Sequence, residues 1–247
     1  MTKLRYDGLI LDFDGVLIES EYAGNAQIAQ YLSERGHPTT AEESMTHFMG
    51  LSGPDFIAAI ERWIGGPLAD DFHEARRAED ERVLSEGLEA VAGAVAFVEA
   101  LPAGFPRAIA SSSSMEWIER HLDHLGLAHH FEGRIFSGAV HVARGKPAPD
   151  LYLHAAAAIG VPIERVVIVE DSPVGVRGAL DSGADVIGLC AGTHCLPGHA
   201  ERLRGLGVER IAASFDEVAA MIGLTGCDRC GASSSRDIQG CGDSLES

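Results

Sequence analysis

Two aspartates follow a short apolar run near the start of the chain, and no other sequence feature constrains the fold as strongly. The run Gly8-Leu9-Ile10-Leu11 leads into Asp12-Phe13-Asp14-Gly15. An apolar run of this kind is typical of a buried strand, and open α/β folds form their ligand sites at the carboxyl ends of such strands. Because alternate strand residues face the same side, Asp12 and Asp14 can reach one crevice. Two carboxylates in one crevice indicate a bound divalent cation, or a nucleophile working with an acid/base group.

The same pattern recurs further along the chain, where short apolar runs end in polar residues and helical patterns follow. The recurring segments are residues 107–111 and 166–171, and weaker strands are expected at 184–189 and 209–212. Helices are predicted at about 93–101, 114–125, 149–159, 173–182, 198–205 and 215–222. Apolar strands that alternate with helices predict a doubly wound α/β core, in which helices cover both faces of a parallel sheet.

Residues 19–88 interrupt this alternation. They show helical periodicity, loop signals at 36–38 and 65–67, and no convincing strand. The segment is therefore predicted to be an all-helical cap, inserted after the first strand and next to the crevice. As a lid it would exclude water and select the substrate, and a purely structural subdomain is the alternative. The predicted division is a core of residues 1–18 and 89–224 with a cap of residues 19–88.

The end of the chain, residues 225–247, is rich in Gly, Ser, Asp and Cys and lacks apolar periodicity, which predicts a disordered tail. Cys227 and Cys230 have the C-x-x-C spacing of a metal site. Cys241 and a distant histidine would be poor further ligands, so a zinc site is not expected. The five cysteines are an odd number and none precedes residue 190, which argues against a disulfide framework.

Charge and hydropathy exclude two classes of partner. The chain has 19 Lys and Arg against 37 Asp and Glu, a net charge of −18, which repels nucleic acid and anionic lipid. No apolar run approaches the length of a membrane span, and residues 1–5 lead into the first strand without a signal-type segment. We therefore expect a cytoplasmic enzyme, either a monomer or a small homo-oligomer, that supplies local positive charge to an anionic substrate.

Four motifs together carry a family resemblance. They are Asp12-Phe13-Asp14-Gly15-Val16-Leu17, Ser111, Lys146-Pro147-Ala148-Pro149-Asp150 and Val169-Glu170-Asp171-Ser172. In order and approximate spacing they resemble the motifs of the haloacid dehalogenase superfamily. The match is to its β-phosphoglucomutase-like phosphatase branch, which carries a helical cap after the first motif. The resemblance covers residues 4 to about 222, and four motifs in sequence make chance agreement remote.

The resemblance implies a phosphatase that works through an aspartyl-phosphate. It makes Asp12 the nucleophile and a ligand of Mg²⁺. Asp14 becomes the general acid and base, and its backbone carbonyl becomes a second metal ligand. Ser111 would donate a hydrogen bond to a phosphoryl oxygen, helped by the backbone N–H groups of Ser112 and Ser113.

The remaining motif residues supply charge around the phosphoryl group. A phosphate monoester resists attack because its oxygens repel an anionic nucleophile, so the site must first cancel that charge. Lys146 would hold the phosphoryl group and the nucleophile together. Glu170 and Asp171 would complete the Mg²⁺ site, with Asp171 as the firmer ligand because adjacent strand residues point to opposite faces.

The implied substrate is a small phosphorylated metabolite, either a sugar phosphate or a sugar-acid phosphate, since the cap resembles that of 6-phosphogluconate and sugar-phosphate phosphatases. Mutases of this branch position a bisphosphate with a histidine after the first motif and an arginine in the cap. Residues 19–25 contain no histidine and residues 48–55 no cation, which favours a phosphatase over a phosphosugar mutase. The cap positions predicted to set specificity are Glu21, Asn25, Met49 and Ser52.

Two other classes remain as alternatives. Dehalogenases of the superfamily do not need a second aspartate, so Asp14 argues against that chemistry. A catalytically silent phosphometabolite-binding protein would be free to lose a motif residue, and none is missing. None of the eleven histidines belongs to a partner motif. The following are expected to be surface or loop residues, not ligands: His37, His47, His141, His194 and His199.

Overall fold

Strands and helices alternate along most of the chain. The computed structural model describes residues 4–49, 51 and 53–224. The first strand, β1 (Gly8–Leu11), precedes four helices: α1 (Ser20–Glu34), α2 (Ala41–Phe48), α3 (Gly53–Ile64) and α4 (Phe72–Glu86). The elements that follow are α5 (Ala94–Ala100), β2 (Arg107–Ser111), α6 (Met115–His124), β3 (Ile135–Ser137), α7 (Asp150–Ala158), β4 (Val166–Glu170), α8 (Pro173–Asp181), β5 (Asp185–Leu189), α9 (His199–Gly205), β6 (Arg210–Ala212) and α10 (Phe215–Ile222).

The described strands form one parallel sheet in the order β3-β2-β1-β4-β5-β6. Leu9 and Leu11 of β1 lie in one buried apolar cluster, whereas Ile10 lies in a second cluster on the other face. Alternate strand residues point to opposite faces, so the two clusters show that the sheet is covered on both sides. The predicted doubly wound α/β core is confirmed.

The predicted sheet lacked one strand. The edge strand β3 was missed, because it has only three residues and follows a turn at Gly133, whose φ is +67°. The first strand ends at Leu11, directly before Asp12. The chain turns immediately afterwards, where Leu17 donates a backbone hydrogen bond to Phe13 O and Gly15 adopts a φ of +76°. The turn bends Asp14 back toward the end of β1.

The segment between β1 and α5 is helical, and its helices share an apolar cluster distinct from those of the sheet. That cluster includes Tyr31, Leu32, Phe48, Ile60 and Phe72. The predicted bounds of a separate cap domain at 19–88 stay a prediction. No helix in the described part of the chain is long and apolar enough to span a membrane.

The topology brings several polar strand ends to one edge of the sheet. β1 lies between β2 and β4, with Leu11 opposite Ile109 and Val169. The chain leaves β1 toward β2 on one side and reaches β4 on the other, which makes this the topological switch point of the sheet. Asp12, Ser111 and Glu170 therefore emerge side by side at the carboxyl edge.

Candidate active site

A buried lysine joins two carboxylates at the sheet edge. Lys146 Nζ lies 2.6 Å from Asp12 Oδ1 and 2.6 Å from Glu170 Oε1. Burial works to lower the pKa of Lys146, but the charges of Asp12 and Glu170 outweigh it and hold that pKa well above its usual range. Lys146 is therefore a fixed positive charge beside the tip of β1.

Three carboxylates share that single ammonium group. The side chains of Asp12, Glu170 and Asp171 place one oxygen each within 4.8 Å of one another. Burial, followed by the charge of Glu170, raises the pKa of Asp12 and of Asp171 well above the usual range. The surplus of buried negative charge is the environment in which a divalent cation binds.

Glu170 and Asp171 differ in how far the protein satisfies them. Glu170 Oε1 accepts from Lys146 and from Tyr152 OH at 2.8 Å, and Oε2 accepts from the backbone N–H and hydroxyl of Ser172 at 3.0 Å each. Asp171 Oδ1, in contrast, is buried without a hydrogen-bond partner among the described residues. An unpartnered buried oxygen carries a penalty that a cation would relieve, so the donor set fits a hard divalent metal with Asp171 as the available ligand.

A glycine makes the contact of Glu170 with helix α8 possible. A Cβ at Gly175 would lie 1.7 Å from Glu170 Oε1. The Ser172 side chain caps the helix by accepting from the Gly175 backbone N–H at 3.0 Å. The same serine thus begins α8 and binds Glu170, which ties the end of β4 to the helix that follows.

Asp14 lies on the other side of the site, against the beginning of α6. Its Oδ2 accepts from Ser113 Oγ at 2.6 Å and from Ser111 Oγ at 3.3 Å. Its Oδ1 accepts from the indole N–H of Trp117 at 3.0 Å. Ser111 also accepts from the Ser113 backbone N–H at 3.0 Å. The serines predicted to contact a phosphoryl oxygen thus hold the Asp14 carboxylate in this structure, and Ser112 lines the adjacent cavity.

A cavity of about 1030 Å³ separates the sheet edge from the helical segment. Of the four predicted specificity residues, Glu21, Asn25 and Met49 line it, whereas Ser52 lies outside the described residues. Asn25 Nδ2 donates to Glu21 O at 2.8 Å and Asn25 Oδ1 accepts from Ser44 Oγ at 2.9 Å. The Asn25 amide is therefore engaged within the helical segment.

Residues of α1 to α4 line one side of the cavity, which we call the helical wall. This wall contains a cation that was not predicted from the sequence. Arg76 of α4 lines the cavity and donates to Gly24 O at 3.2 Å and to Gln27 Oε1 at 3.0 Å. Glu79 and Asp80 of the same helix line the cavity too. Arg76 lies outside residues 48–55, the stretch in which the resemblance predicts a cap cation. It reaches the cavity only because of how α4 packs.

Two histidines differ in part from their predicted positions. His194 lies in a loop, as predicted, and His199 is the first residue of α9, but both are buried and line the cavity. His194 Nε2 lies 2.8 Å from Asp171 Oδ2, and His199 Nε2 lies 2.7 Å from Asp171 O. The signal that could have found them is their position, because a loop that follows a parallel strand lies at the carboxyl edge where ligand sites form.

Comparison with known proteins agrees with this arrangement. The haloacid dehalogenase-like hydrolase family matches residues 6–183 of the chain. The 6-phosphogluconate phosphatase of Escherichia coli is 30% identical over 194 residues, which cover 78% of this chain and 86% of that protein. Hexitol phosphatase A of E. coli is 33% identical over 191 residues, which cover 76% of this chain and 85% of that protein.

A solved structure has the same fold. A haloacid dehalogenase family hydrolase from Deinococcus radiodurans, with bound phosphate and sodium, superposes with a TM-score of 0.78 at 31% identity. The alignment covers 90% of this chain and 98% of that one. This chain belongs to the haloacid dehalogenase-like hydrolase family, and it is an enzyme. The predicted family is confirmed, and the phosphatase relatives support the narrower class of phosphoric monoester hydrolases.

Proposed function

We propose that this enzyme is a Mg²⁺-dependent phosphatase that hydrolyses a small sugar phosphate or sugar-acid phosphate through an aspartyl-phosphate intermediate. One observation carries the proposal: a buried lysine lies 2.6 Å from both Asp12 and Glu170, with Asp171 beside them and Asp14 at the other end of a short turn. This combination supplies a nucleophile, a cation site, a fixed positive charge and an acid/base group around one point.

The first half-reaction transfers the phosphoryl group to the enzyme. A carboxylate oxygen of Asp12 attacks phosphorus, and the bond from phosphorus to the substrate oxygen breaks. Asp14, in its protonated form, gives its proton to the departing alkoxide, which leaves as an alcohol. Lys146 stays protonated throughout and offsets negative charge on the phosphoryl oxygens.

The second half-reaction releases phosphate. Asp14, now a carboxylate, takes a proton from a water molecule whose oxygen attacks phosphorus. The bond from phosphorus to the Asp12 oxygen breaks, which regenerates the Asp12 carboxylate and the protonated Asp14. For this role one oxygen of Asp14 must contact the leaving oxygen. The carboxyl group has acceptor sites beyond those that Ser113 and Trp117 use, so these donors can hold it in place during the reaction.

The metal site suits Mg²⁺ because its donors are hard carboxylate oxygens and its net charge is negative. Asp12, Asp171 and the backbone carbonyl of Asp14 would hold the ion, with Glu170 behind them as a partner of Lys146. When bound, Mg²⁺ would supply positive charge to the phosphoryl oxygens and keep Asp12 ionised.

The substrate class is supported by the relatives and by the cavity. The relatives are phosphatases of 6-phosphogluconate and of hexitol phosphates by name, and a cavity of about 1030 Å³ accommodates a ligand of that size. A mutase remains less favoured. A second phosphate would approach Arg76, whose guanidinium already donates to Gly24 and Gln27, beside the carboxylates of Glu79 and Asp80.

The test is phosphate release from a panel of sugar phosphates and sugar-acid phosphates, with and without Mg²⁺. We expect metal-dependent turnover of at least one ester. An Asp12→Asn variant provides the control for contaminating phosphatases. If no ester is hydrolysed and a hexose 1-phosphate is isomerised instead, the enzyme is a mutase and the proposed reaction is wrong.

A further inference from the structure

The loop between β5 and α9 and the first residue of α9 each place a histidine against Asp171. We propose that His194 and His199 are positioning residues that fix Asp171 as a metal ligand. This inference rests on the proposed function, because it requires Asp171 to bind the metal. Within the described residues the two histidines contact both polar parts of this aspartate that face the loop, namely its carboxylate and its backbone carbonyl.

The contacts are complementary in what they fix. His194 Nε2 lies 2.8 Å from Asp171 Oδ2, so the imidazole N–H can donate to that oxygen and set the rotation of the carboxylate. His199 Nε2 lies 2.7 Å from Asp171 O, so the second imidazole can donate to the main chain and set the position of the residue. With Oδ2 held in this way, Oδ1 is the oxygen that has no partner in the described part of the chain, and it is therefore the one available to a cation.

The contact of His194 with Asp171 is directional, because an imidazole N–H donates along a fixed line in the plane of its ring. A carboxylate held from one side by such a donor keeps its orientation toward the metal position. Hydrogen-bond partners of metal ligands have this effect in known metal sites.

Two glycines leave the space that this contact needs. A Cβ at Gly15 would lie 2.2 Å from Asp171 Oδ2 and 2.9 Å from the His194 ring. A Cβ at Gly192 would lie 2.6 Å from the His194 ring. Gly15 also needs its glycine for a φ of +76°, but Gly192 has no such backbone requirement. The shortest approaches of a Cβ at Gly192 are to the imidazole, and the next is to Gly15 O at 3.1 Å. A methyl group at this position therefore mainly disturbs the His194 contact.

When a residue that hydrogen-bonds to a metal ligand is removed, the affinity for the metal typically falls by about 10- to 100-fold. We expect His194→Ala to raise the dissociation constant for Mn²⁺, used as the probe metal, by a factor in this range. The constant is measured on the full chain by electron paramagnetic resonance of free Mn²⁺. His194→Gln, whose amide can donate to the same oxygen, should restore part of the affinity. Turnover at saturating metal should fall much less than the affinity does.

Gly192→Ala tests the same contact without removing a hydrogen-bonding group. Its added methyl group must displace the imidazole, so we expect weaker Mn²⁺ binding from this variant as well. His129→Ala is the matched control, since His129 is an exposed histidine of the same chain, and it should bind Mn²⁺ as the wild type does. Circular dichroism and thermal unfolding establish that each variant is folded.

Failure of this inference can be distinguished from failure of the proposed function. If Asp171→Asn weakens Mn²⁺ binding but folded His194→Ala and Gly192→Ala variants do not, the positioning role is wrong while the metal site stands. If Asp171→Asn leaves Mn²⁺ binding unchanged, the premise that Asp171 binds the metal is wrong.

The nitrogen and sulfur atoms of His194, Cys195 and His199 lie within 4.8 Å of one another. If Co²⁺ gives a thiolate absorption band that Cys195→Ser removes, and Mn²⁺ affinity is unaffected by His194→Ala, the loop is a separate site for a softer metal and the proposal is overturned.

Discussion

The sheet edge and the helical wall of the cavity use polar side chains in opposite ways. At the sheet edge, Lys146 binds carboxylates that are 134 and 24 residues away in the sequence. Asp171 Oδ1 accepts no hydrogen bond from the residues that the structure describes. In the helical wall, Asn25 and Arg76 bond to neighbouring helical residues. The polar groups at the sheet edge are thus available for chemistry, whereas those of the helical wall mainly join its helices to one another. A side chain that lines a cavity therefore need not bind a ligand there.

The largest effect should come from the sheet edge. Asp12→Asn removes the nucleophilic oxygen while keeping the size of the side chain, so we expect kcat to fall by about 10⁴-fold or more. Lys146 retains Glu170 as its partner, and the fold should therefore be preserved. Turnover is measured by phosphate release, and unfolding by circular dichroism. Activity near that of the wild type would rule out the covalent mechanism.

The Asp14 side of the site should show a smaller and more selective effect. Trp117→Phe removes the indole N–H that donates to Asp14 at 3.0 Å but keeps an aromatic ring. We expect kcat on a sugar phosphate to fall by about 10-fold, because Asp14 loses a donor that positions it and hydrogen bonds to charged groups contribute about 1.5–3 kcal/mol. The effect on p-nitrophenyl phosphate should be smaller, because its leaving group needs no proton.

Trp63→Phe is the matched control for this experiment. The Trp63 indole N–H donates to Thr39 Oγ1 at 2.9 Å within the helical segment, and Trp63 does not line the cavity. The Trp63→Phe substitution should alter stability without altering the ratio of kcat on the sugar phosphate to kcat on p-nitrophenyl phosphate. Equal changes of that ratio in both variants would show that the Trp117 contact has no specific bearing on Asp14.

The surplus charge at the sheet edge should appear as a pH dependence of stability. Burial and Glu170 raise the pKa of Asp12 and of Asp171. A carboxyl whose pKa is raised by folding stabilises the protein below its unfolded pKa of about 3.9, and that stability is lost as the pH rises through the folded pKa. We therefore expect the melting temperature without metal to fall more steeply above pH 4 for the wild type than for Asp171→Asn.

Mg²⁺ should reverse most of this loss in the wild type and little of it in the variant. The measurement is thermal unfolding at several pH values, with and without the metal. Identical pH slopes for both proteins would show that Asp171 does not carry a raised pKa. An equal Mg²⁺ effect on both would count against its role as a ligand.

The smallest effect belongs to the helical wall. Ser44→Ala removes the hydroxyl that donates to Asn25 Oδ1 at 2.9 Å in a buried setting. We expect the free energy of unfolding to fall by about 1–2 kcal/mol, with kcat within about twofold of the wild type. Thr46→Ala, an exposed hydroxyl on the same helix, is the control and should change stability by less. A large loss of turnover from Ser44→Ala would show that the wall holds more of the catalytic geometry than its contacts indicate.

Local sequence determined the core of this protein. The apolar runs of β1, β2 and β4 and the polar residues that end them are adjacent in the chain, and parallel pairing then brings those ends to one edge. That is why the α/β core and the grouping of Asp12, Ser111 and the residues at 170–171 were predictable, whereas the place of Lys146 in the site was implied by the family resemblance. The short edge strand β3 was not, because three residues do not establish a period.

Only the tertiary structure decided the partners of each carboxylate. That Glu170 is fully satisfied while Asp171 keeps a free oxygen depends on Tyr152 and Ser172 packing against one and not the other. The contacts of Trp117 with Asp14, and of His194 and His199 with Asp171, join residues 23 to 103 positions apart. Hydrogen bonds require atoms to be about 3 Å apart in the right direction, and sequence spacing does not determine such distances between separate elements. The residue types of the site were therefore set by the sequence, and their pairing by the fold.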